Sequence, residues 1–108
     1  DRLDGPSVAG LSLSFGSGAA TNPFEDVLNA DVIFMIGANT IEAHPLAGRR
    51  IVQAKKAGKT IIVCDPRYTP TARLADHYVR YNPSTNIALI NSIMYWIICA
   101  PRECGEWW

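Results

Sequence analysis

The chain has little that would direct it to a charged partner or to a membrane. Its 108 residues carry 10 Lys and Arg against 10 Asp and Glu, so the formal net charge is zero. No basic stripe with interleaved aromatic residues occurs, which argues against nucleic acid as a partner. The longest apolar stretch, residues 87–100, is shorter than the roughly 20 residues of a membrane-spanning helix, and Asn91 and Ser92 interrupt it. We therefore expect no membrane span.

Cysteine is also sparse. The three cysteines, Cys64, Cys99 and Cys104, form no C-x-x-C pair, and their spacing only weakly indicates a disulfide or a metal site. The first residues show no signal-peptide pattern. A reducing intracellular setting is the default for such a chain, so we expect a cytoplasmic protein.

Familiar catalytic patterns are missing. The sequence contains no Ser-His-Asp order, no H-E-x-x-H and no P-loop lysine, so we predict neither catalytic residues nor metal ligands. The dinucleotide fingerprint G-x-G-x-x-G is absent, and Gly16-Ser17-Gly18 is only a fragment of it with no strand before it. Glu42 and His44 suggest acid–base chemistry, but His44 before Pro45 is more simply a capping or packing residue.

What the chain does have is a strand–helix–strand pattern. Apolar runs predict strands at 31–36 and 60–64, and helical spacing predicts a helix at 45–57 between them, ended by Gly58. A weaker third strand at 77–81 and a helix at 85–98 follow. The fold class is therefore α/β: a three-layer unit with a short parallel sheet of about three strands flanked by helices.

Two features indicate that apolar surface of this unit is buried against another domain or another copy of the chain. The first strand is almost entirely apolar, as is typical of a strand covered on both faces. The last helix is apolar around more than one face, and such a helix is usually buried. We expect the chain to be part of something larger or to self-associate.

Each predicted strand is followed by a polar turn. Gly37-Ala38-Asn39-Thr40 follows the first, Asp65-Pro66-Arg67 the second and Pro83-Ser84-Thr85-Asn86 the third. In an open parallel sheet, ligands bind at the carboxyl ends of the strands. Asp65 is suited to accept hydrogen bonds from ribose hydroxyls, and Arg67 to stack on a base or meet a phosphate. The alternative is that these segments are ordinary turns with a surface Asp–Arg pair.

Several segments resemble, in the same order, the molybdopterin oxidoreductases, most closely the catalytic (alpha) subunit of formate dehydrogenase. They are Gly5–Leu11, Phe15–Asn22, Gly37–Pro45, Cys64–Arg67 and Thr71–Asp76. The resemblance covers residues 3–98. It implies a Rossmann-like unit that binds one molybdopterin guanine dinucleotide, the cofactor that carries molybdenum or tungsten in this family.

The resemblance also implies a role for each turn. The phosphate and pterin side would be lined by Gly37, Ala38, Asn39 and Glu42. The guanosine ribose and base would be held by Cys64, Asp65, Pro66 and Arg67. The guanine edge would be approached by Ser84, Thr85 and Asn86. Relatives often carry Asp at the last of these positions, whereas the amide of Asn86 accepts only through its carbonyl oxygen.

The sequence departs from the family pattern near its start. Leu3 and Asp4 stand where formate dehydrogenases have a metal-binding Cys or selenocysteine and then a His. We expect residues 1–98 to be a partial cofactor-binding domain and 99–108 a non-native or disordered tail. The resemblance implies a parent that oxidises formate to carbon dioxide by two electrons at a Mo/W bis-pterin centre, with further domains or electron-transfer subunits as partners. We expect this chain alone to be inactive.

Two other classes remain open from the sequence. One is a stand-alone Rossmann-like domain that binds NAD or FAD, which a preference for adenine over guanine would identify. The other is a non-catalytic interaction module, which would bind no nucleotide.

Overall fold

A computed structural model describes residues 5–104 of the protein, with side chains as far as Cys99. In chain order the elements are α1 (Gly5–Phe15), a 3-10 helix (Phe24–Leu28), β1 (Val32–Ile36), α2 (Thr40–Ala43), α3 (Pro45–Lys56), β2 (Thr60–Cys64), α4 (Pro70–Leu74), β3 (His77–Val79) and α5 (Asn86–Cys104).

The three strands form one parallel sheet in the order β1-β2-β3. Val32 pairs with Thr60 and Ile36 with Cys64, so β1 and β2 end at the same level. The predicted α/β class with a short parallel sheet is confirmed. The third strand is shorter than predicted because its pairing with β2 ends at Val79.

One face of the sheet forms the core. Met35, Ile61 and Val63 alternate onto this face, where they pack with Ile51 of α3 and Ala72 of α4. The opposite face is not covered to the same degree, since Val32 is 54% exposed and Phe34 47%. The expectation that β1 is covered on both faces is therefore not met within residues 5–104.

Helix α3 begins and ends where the sequence predicts. Pro45 occupies its first turn, and Gly58 follows with φ +82°, a conformation that glycine adopts without strain. Ile51 and Ala54 face the core as expected. Ala57 has the apolar spacing of Ile51 and Ala54 in the predicted helix at 45–57, but it is exposed because the helix has already ended at Lys56.

The two outer helices are less buried. Val8, Leu11 and Phe15 have the spacing of one helical face and lie in α1, but no residue of this helix is buried. Helix α5 continues to Cys104, beyond the predicted end at Ile98, and its apolar side chains are widely exposed. Among the residues described, no helix is both long and apolar enough to cross a membrane.

Candidate functional site

A cleft of about 620 Å³ opens at the carboxyl end of β1. Four segments of the chain line it: the start of α1, the end of β1 with the turn after it, the α2–α3 junction and the start of α5. The residues are Ser7, Ile36, Gly37, Ala38, Asn39, Thr40, Ala43, His44 and Asn86. The predicted site residues Gly37, Ala38, Asn39 and Asn86 thus share one cleft.

Gly37 makes the turn at the floor of this cleft. Its N–H donates to the carbonyl oxygen of Cys64 (2.9 Å), which extends the β1–β2 pairing by one residue. Its φ is +60°, and a Cβ at this position would lie 3.3 Å from the Tyr81 hydroxyl oxygen. Glycine is needed here both for the backbone conformation and for the close approach of Tyr81.

Asn39 is held in place by a buried threonine. The Thr71 hydroxyl donates to Asn39 Oδ1 (3.0 Å) and accepts the N–H of Ile41 (3.2 Å), and Thr71 is fully buried. The Asn39 amide also donates to the carboxylate of Glu42, an exposed residue that does not line the cleft. The turn after β1 is therefore fixed from behind by α4.

Asp65 lies beside the cleft rather than in its lining. It is only 9% exposed, and its Oδ1 accepts the N–H of Arg67 (2.8 Å). Its own N–H donates to the carbonyl of Val79 (3.1 Å), and its carbonyl accepts the Tyr78 hydroxyl (2.9 Å). These bonds tie the turn after β2 to β3. Arg67 is exposed, whereas Cys64 is buried, and burial raises the pKa of its thiol.

The third turn brings only its last residue into the cleft. Ser84 adopts φ +67°, and the Thr85 hydroxyl donates back to the carbonyl of Asn82 (2.6 Å). The carbonyl of Thr85 accepts the N–H of Leu89 (3.0 Å), so α5 starts directly after it. Ser84 and Thr85 shape the turn that carries Asn86, and neither lines the cleft.

Tyr81 connects the three turns, and the sequence analysis missed it as a site residue. Burial raises the pKa of Tyr81, and the charges of Asp65 and Cys64 raise it further, while a hydrogen bond with Asn86 opposes them. Asp65 and Asn86 come from the second and third turns, and Gly37 of the first turn lies against the same hydroxyl. A tyrosine at the end of a predicted strand gave no signal of this, because its neighbours come from elsewhere in the chain.

Ser7 and His44 were also not predicted to line the site. Ser7 belongs to a segment on which the family resemblance rests, so that resemblance offered a signal for it. His44 was expected to cap or pack, but it is exposed and its side chain makes no cap bond with α3. Within the part of the chain described, no three His, Cys, Asp or Glu residues lie close enough to hold a metal ion.

The chain matches known proteins over most of its length. The molybdopterin oxidoreductase family model matches residues 7–100. The F420-dependent formate dehydrogenase 1 subunit alpha of Methanococcus maripaludis is 55% identical over 92 residues, which are 85% of this chain and 14% of that protein. The F420-dependent formate dehydrogenase subunit alpha of Methanocaldococcus jannaschii is 53% identical over 92 residues, with the same coverage of each.

A bacterial relative matches the same part of the chain. Formate dehydrogenase H of Escherichia coli is 44% identical over 94 residues, which are 87% of this chain and 13% of that protein. The chain thus corresponds to a small segment of formate-dehydrogenase-like proteins. With a family model that covers nearly all of its described residues, the chain belongs to the molybdopterin oxidoreductase family.

Proposed function

We propose that this segment binds the guanine dinucleotide part of a molybdopterin cofactor in an enzyme that oxidises formate. The observation that carries the proposal is the cleft at the carboxyl end of β1, where Gly37, Asn39 and Asn86 meet. Polar groups converge there from two of the three turns, and the third turn lies directly beside it. Ligands bind at this edge of open parallel sheets.

The cleft suits a group with phosphates and a purine. Its volume of about 620 Å³ lies within the range typical of small-molecule sites. Gly37 makes the tight turn that lines the cleft, and Asn39 supplies a fixed amide. Gly37, Ala38, Asn39 and Glu42 would lie toward the phosphates and the pterin.

The second and third turns would hold the guanosine. One oxygen of Asp65 is used by the N–H of Arg67, and a carboxylate has capacity for further donors such as ribose hydroxyls. Cys64 and Pro66 would pack beside the ribose, and Arg67 is exposed and free to approach a base or a phosphate. Asn86 would meet the guanine edge, with Ser84 and Thr85 shaping its turn.

The chemistry of formate oxidation would come from the cofactor. When bound, a cofactor of this kind supplies a molybdenum or tungsten centre for two-electron transfer. The residues of this chain would bind and orient it, and the remaining domains or subunits of a longer protein would complete the site.

Binding of guanosine diphosphate to the 108-residue chain tests the proposal. We expect Asp65→Ala to weaken binding by about 1.5–3 kcal/mol, the usual range for a hydrogen bond to a charged group. Lys56→Ala is the matched control, because Lys56 is exposed at the end of α3 and makes no contact with the cleft. Isothermal titration calorimetry would measure both.

Three other results of the binding experiment would contradict the proposal. A loss of binding from Lys56→Ala without a loss from Asp65→Ala would indicate diffuse attraction of the anionic nucleotide to positive charge and refute the site. Tighter binding of adenosine diphosphate would indicate a domain of the NAD or FAD type. A chain that binds no nucleotide would fit an interaction module instead.

A further inference from the structure

Tyr81 lies behind the cleft, between the turn after β1 and the start of α5. A Cβ built on Gly37 would be 3.3 Å from the Tyr81 hydroxyl oxygen and 4.0 Å from Asn86 Nδ2. The hydroxyl and the amide nitrogen therefore approach the same small volume. Asn86 lines the cleft and Tyr81 does not, so a ligand in the cleft would meet Tyr81 only through Asn86.

The Asn86 amide is oriented by this arrangement. Its nitrogen is the end that lies toward Gly37, 4.0 Å from that Cβ position, so Oδ1 lies on the other side of the planar group. An amide nitrogen only donates hydrogen bonds, and an amide oxygen only accepts them. In this orientation Oδ1 is the atom of Asn86 that is directed away from Gly37.

The charge around Tyr81 favours the same orientation. Burial first, and then the charges of Asp65 and Cys64, raise the pKa of Tyr81, so its hydroxyl stays protonated over the physiological range. The negative carboxylate of Asp65 attracts the proton end of the hydroxyl. The oxygen lone pairs are then left to accept the N–H of Asn86.

We propose that Tyr81 is a positioning residue that makes this site select guanine over adenine. The proposal rests on the nucleotide-binding function proposed above. In this proposal the Asn86 nitrogen donates to the Tyr81 hydroxyl, and Asn86 presents Oδ1 to the base. Guanine offers that oxygen two adjacent donors, the ring N–H and the amino group. Adenine offers an amino group beside a ring nitrogen whose lone pair repels the oxygen. An unrestrained amide would rotate and serve adenine with its nitrogen.

Nucleotide selectivity of the whole chain tests this role. We expect the unmodified protein to bind guanosine diphosphate about tenfold more tightly than adenosine diphosphate, and Tyr81→Phe to bring the two within about twofold. Tyr95→Phe is the matched control, because Tyr95 is 63% exposed on α5 and lies outside the cleft lining. A Tyr81→Phe protein that keeps the full guanine preference overturns the proposal.

A second readout does not depend on nucleotide binding. Tyr81→Phe should shift the side-chain amide signals of Asn86 in a ¹⁵N-correlated spectrum, and Tyr95→Phe should leave them in place. If the chain binds neither nucleotide, the proposed function fails, and these signals still decide whether Tyr81 holds Asn86. Unmoved signals refute the contact.

The variant Asn86→Asp keeps the proposal testable if Tyr81→Phe does not fold. A carboxylate presents an acceptor whichever way it rotates, so Asn86→Asp should retain the guanine preference without help from Tyr81. Where the Tyr81→Phe chain does fold, adding that change to Asn86→Asp should cost no further selectivity. Loss of the preference in Asn86→Asp alone would contradict the assigned role of Oδ1.

Discussion

The sheet and the last helix both carry runs of apolar residues, but they differ in what covers them. Ile61 and Val63 on the inner face of the sheet are fully buried. On α5, a stripe of apolar residues at heptad-like spacing is exposed by 41–76%: Ile87, Ile90, Met94 and Ile97. Apolar residues thus occur both where a core covers them and where no covering element lies against them. It specifies a surface that favours burial, and the covering layer must be found elsewhere.

The inner face should carry most of the stability. Ile61→Ala should lower the free energy of unfolding by about 2–5 kcal/mol, because it removes buried methyl groups and leaves a cavity against α3 and α4. Urea denaturation would measure the loss.

The outer helix provides the matched control for that substitution. Ile97→Ala makes the same chemical change at a position that is 66% exposed, and we expect a shift within about 0.5 kcal/mol. Losses of similar size at Ile61 and Ile97 would show that α5 is packed in solution, which would contradict the comparison.

The next largest loss of stability is expected at Thr71, whose hydroxyl is buried behind the cleft. Thr71→Val keeps the shape of the side chain but leaves the N–H of Ile41 without its acceptor and removes a donor from Asn39. Leaving a buried donor unpaired should cost about 1–3 kcal/mol. The same change at the exposed Thr21 should cost less than about 0.5 kcal/mol. Equal costs in urea denaturation would refute the role of Thr71 in holding this turn.

The sheet and α3 could be predicted from the sequence because their signals are local. Strand-length apolar runs gave β1 and β2, and Pro45 and Gly58 marked both ends of α3. The end of α5 could not, because the apolar spacing that predicts the helix ends at Ile98, whereas the backbone remains helical through Pro101 to Cys104. A proline removes only one helical N–H, and its cost depends on the context.

Some residues of the candidate site could likewise be predicted from the sequence, and others could not. The turns at Gly37, Asp65 and Asn86 were predicted, since the carboxyl ends of parallel strands share one edge. The contacts of Thr71 and Tyr81 were not, because each joins residues that are distant in sequence. Packing also decides which of the predicted residues line the cleft and which lie beside it.

The apolar stripe on α5 predicts self-association. Exposed apolar residues at this spacing form a surface that a second copy can cover. We expect dimers or larger species in light scattering, and Met94→Lys should weaken association by about tenfold. Leu13→Lys is the matched control, because Leu13 is 89% exposed on α1, away from the stripe. A clean monomer at high concentration would contradict this prediction.

The smallest expected effect concerns the edge of the core, where Asp76 precedes β3. Its Oδ2 accepts the N–H of Ile61 (2.9 Å), and its other oxygen pairs with Lys55. The bond with Lys55 and then the bond with Ile61 hold the pKa of Asp76 below its ordinary value of 3.8. Asp76 thereby links an exposed ion pair to a fully buried strand residue.

The direction of this shift fixes the pH dependence. A carboxylate whose pKa is lower in the folded than in the unfolded state adds stability that is fully present above the unfolded value. That stability is lost as the pH falls through the folded value. Asp76→Asn should therefore reduce the stability lost between about pH 6 and about pH 2.5, as measured by urea denaturation at each pH. Asp31→Asn is the control, because Asp31 is also paired with a lysine but its side chain is 95% exposed. If both variants change the pH dependence of stability equally, the bond from Asp76 to the main chain of β2 adds nothing to the effect. The difference between buried and exposed regions would then hold for apolar side chains and not for charged ones.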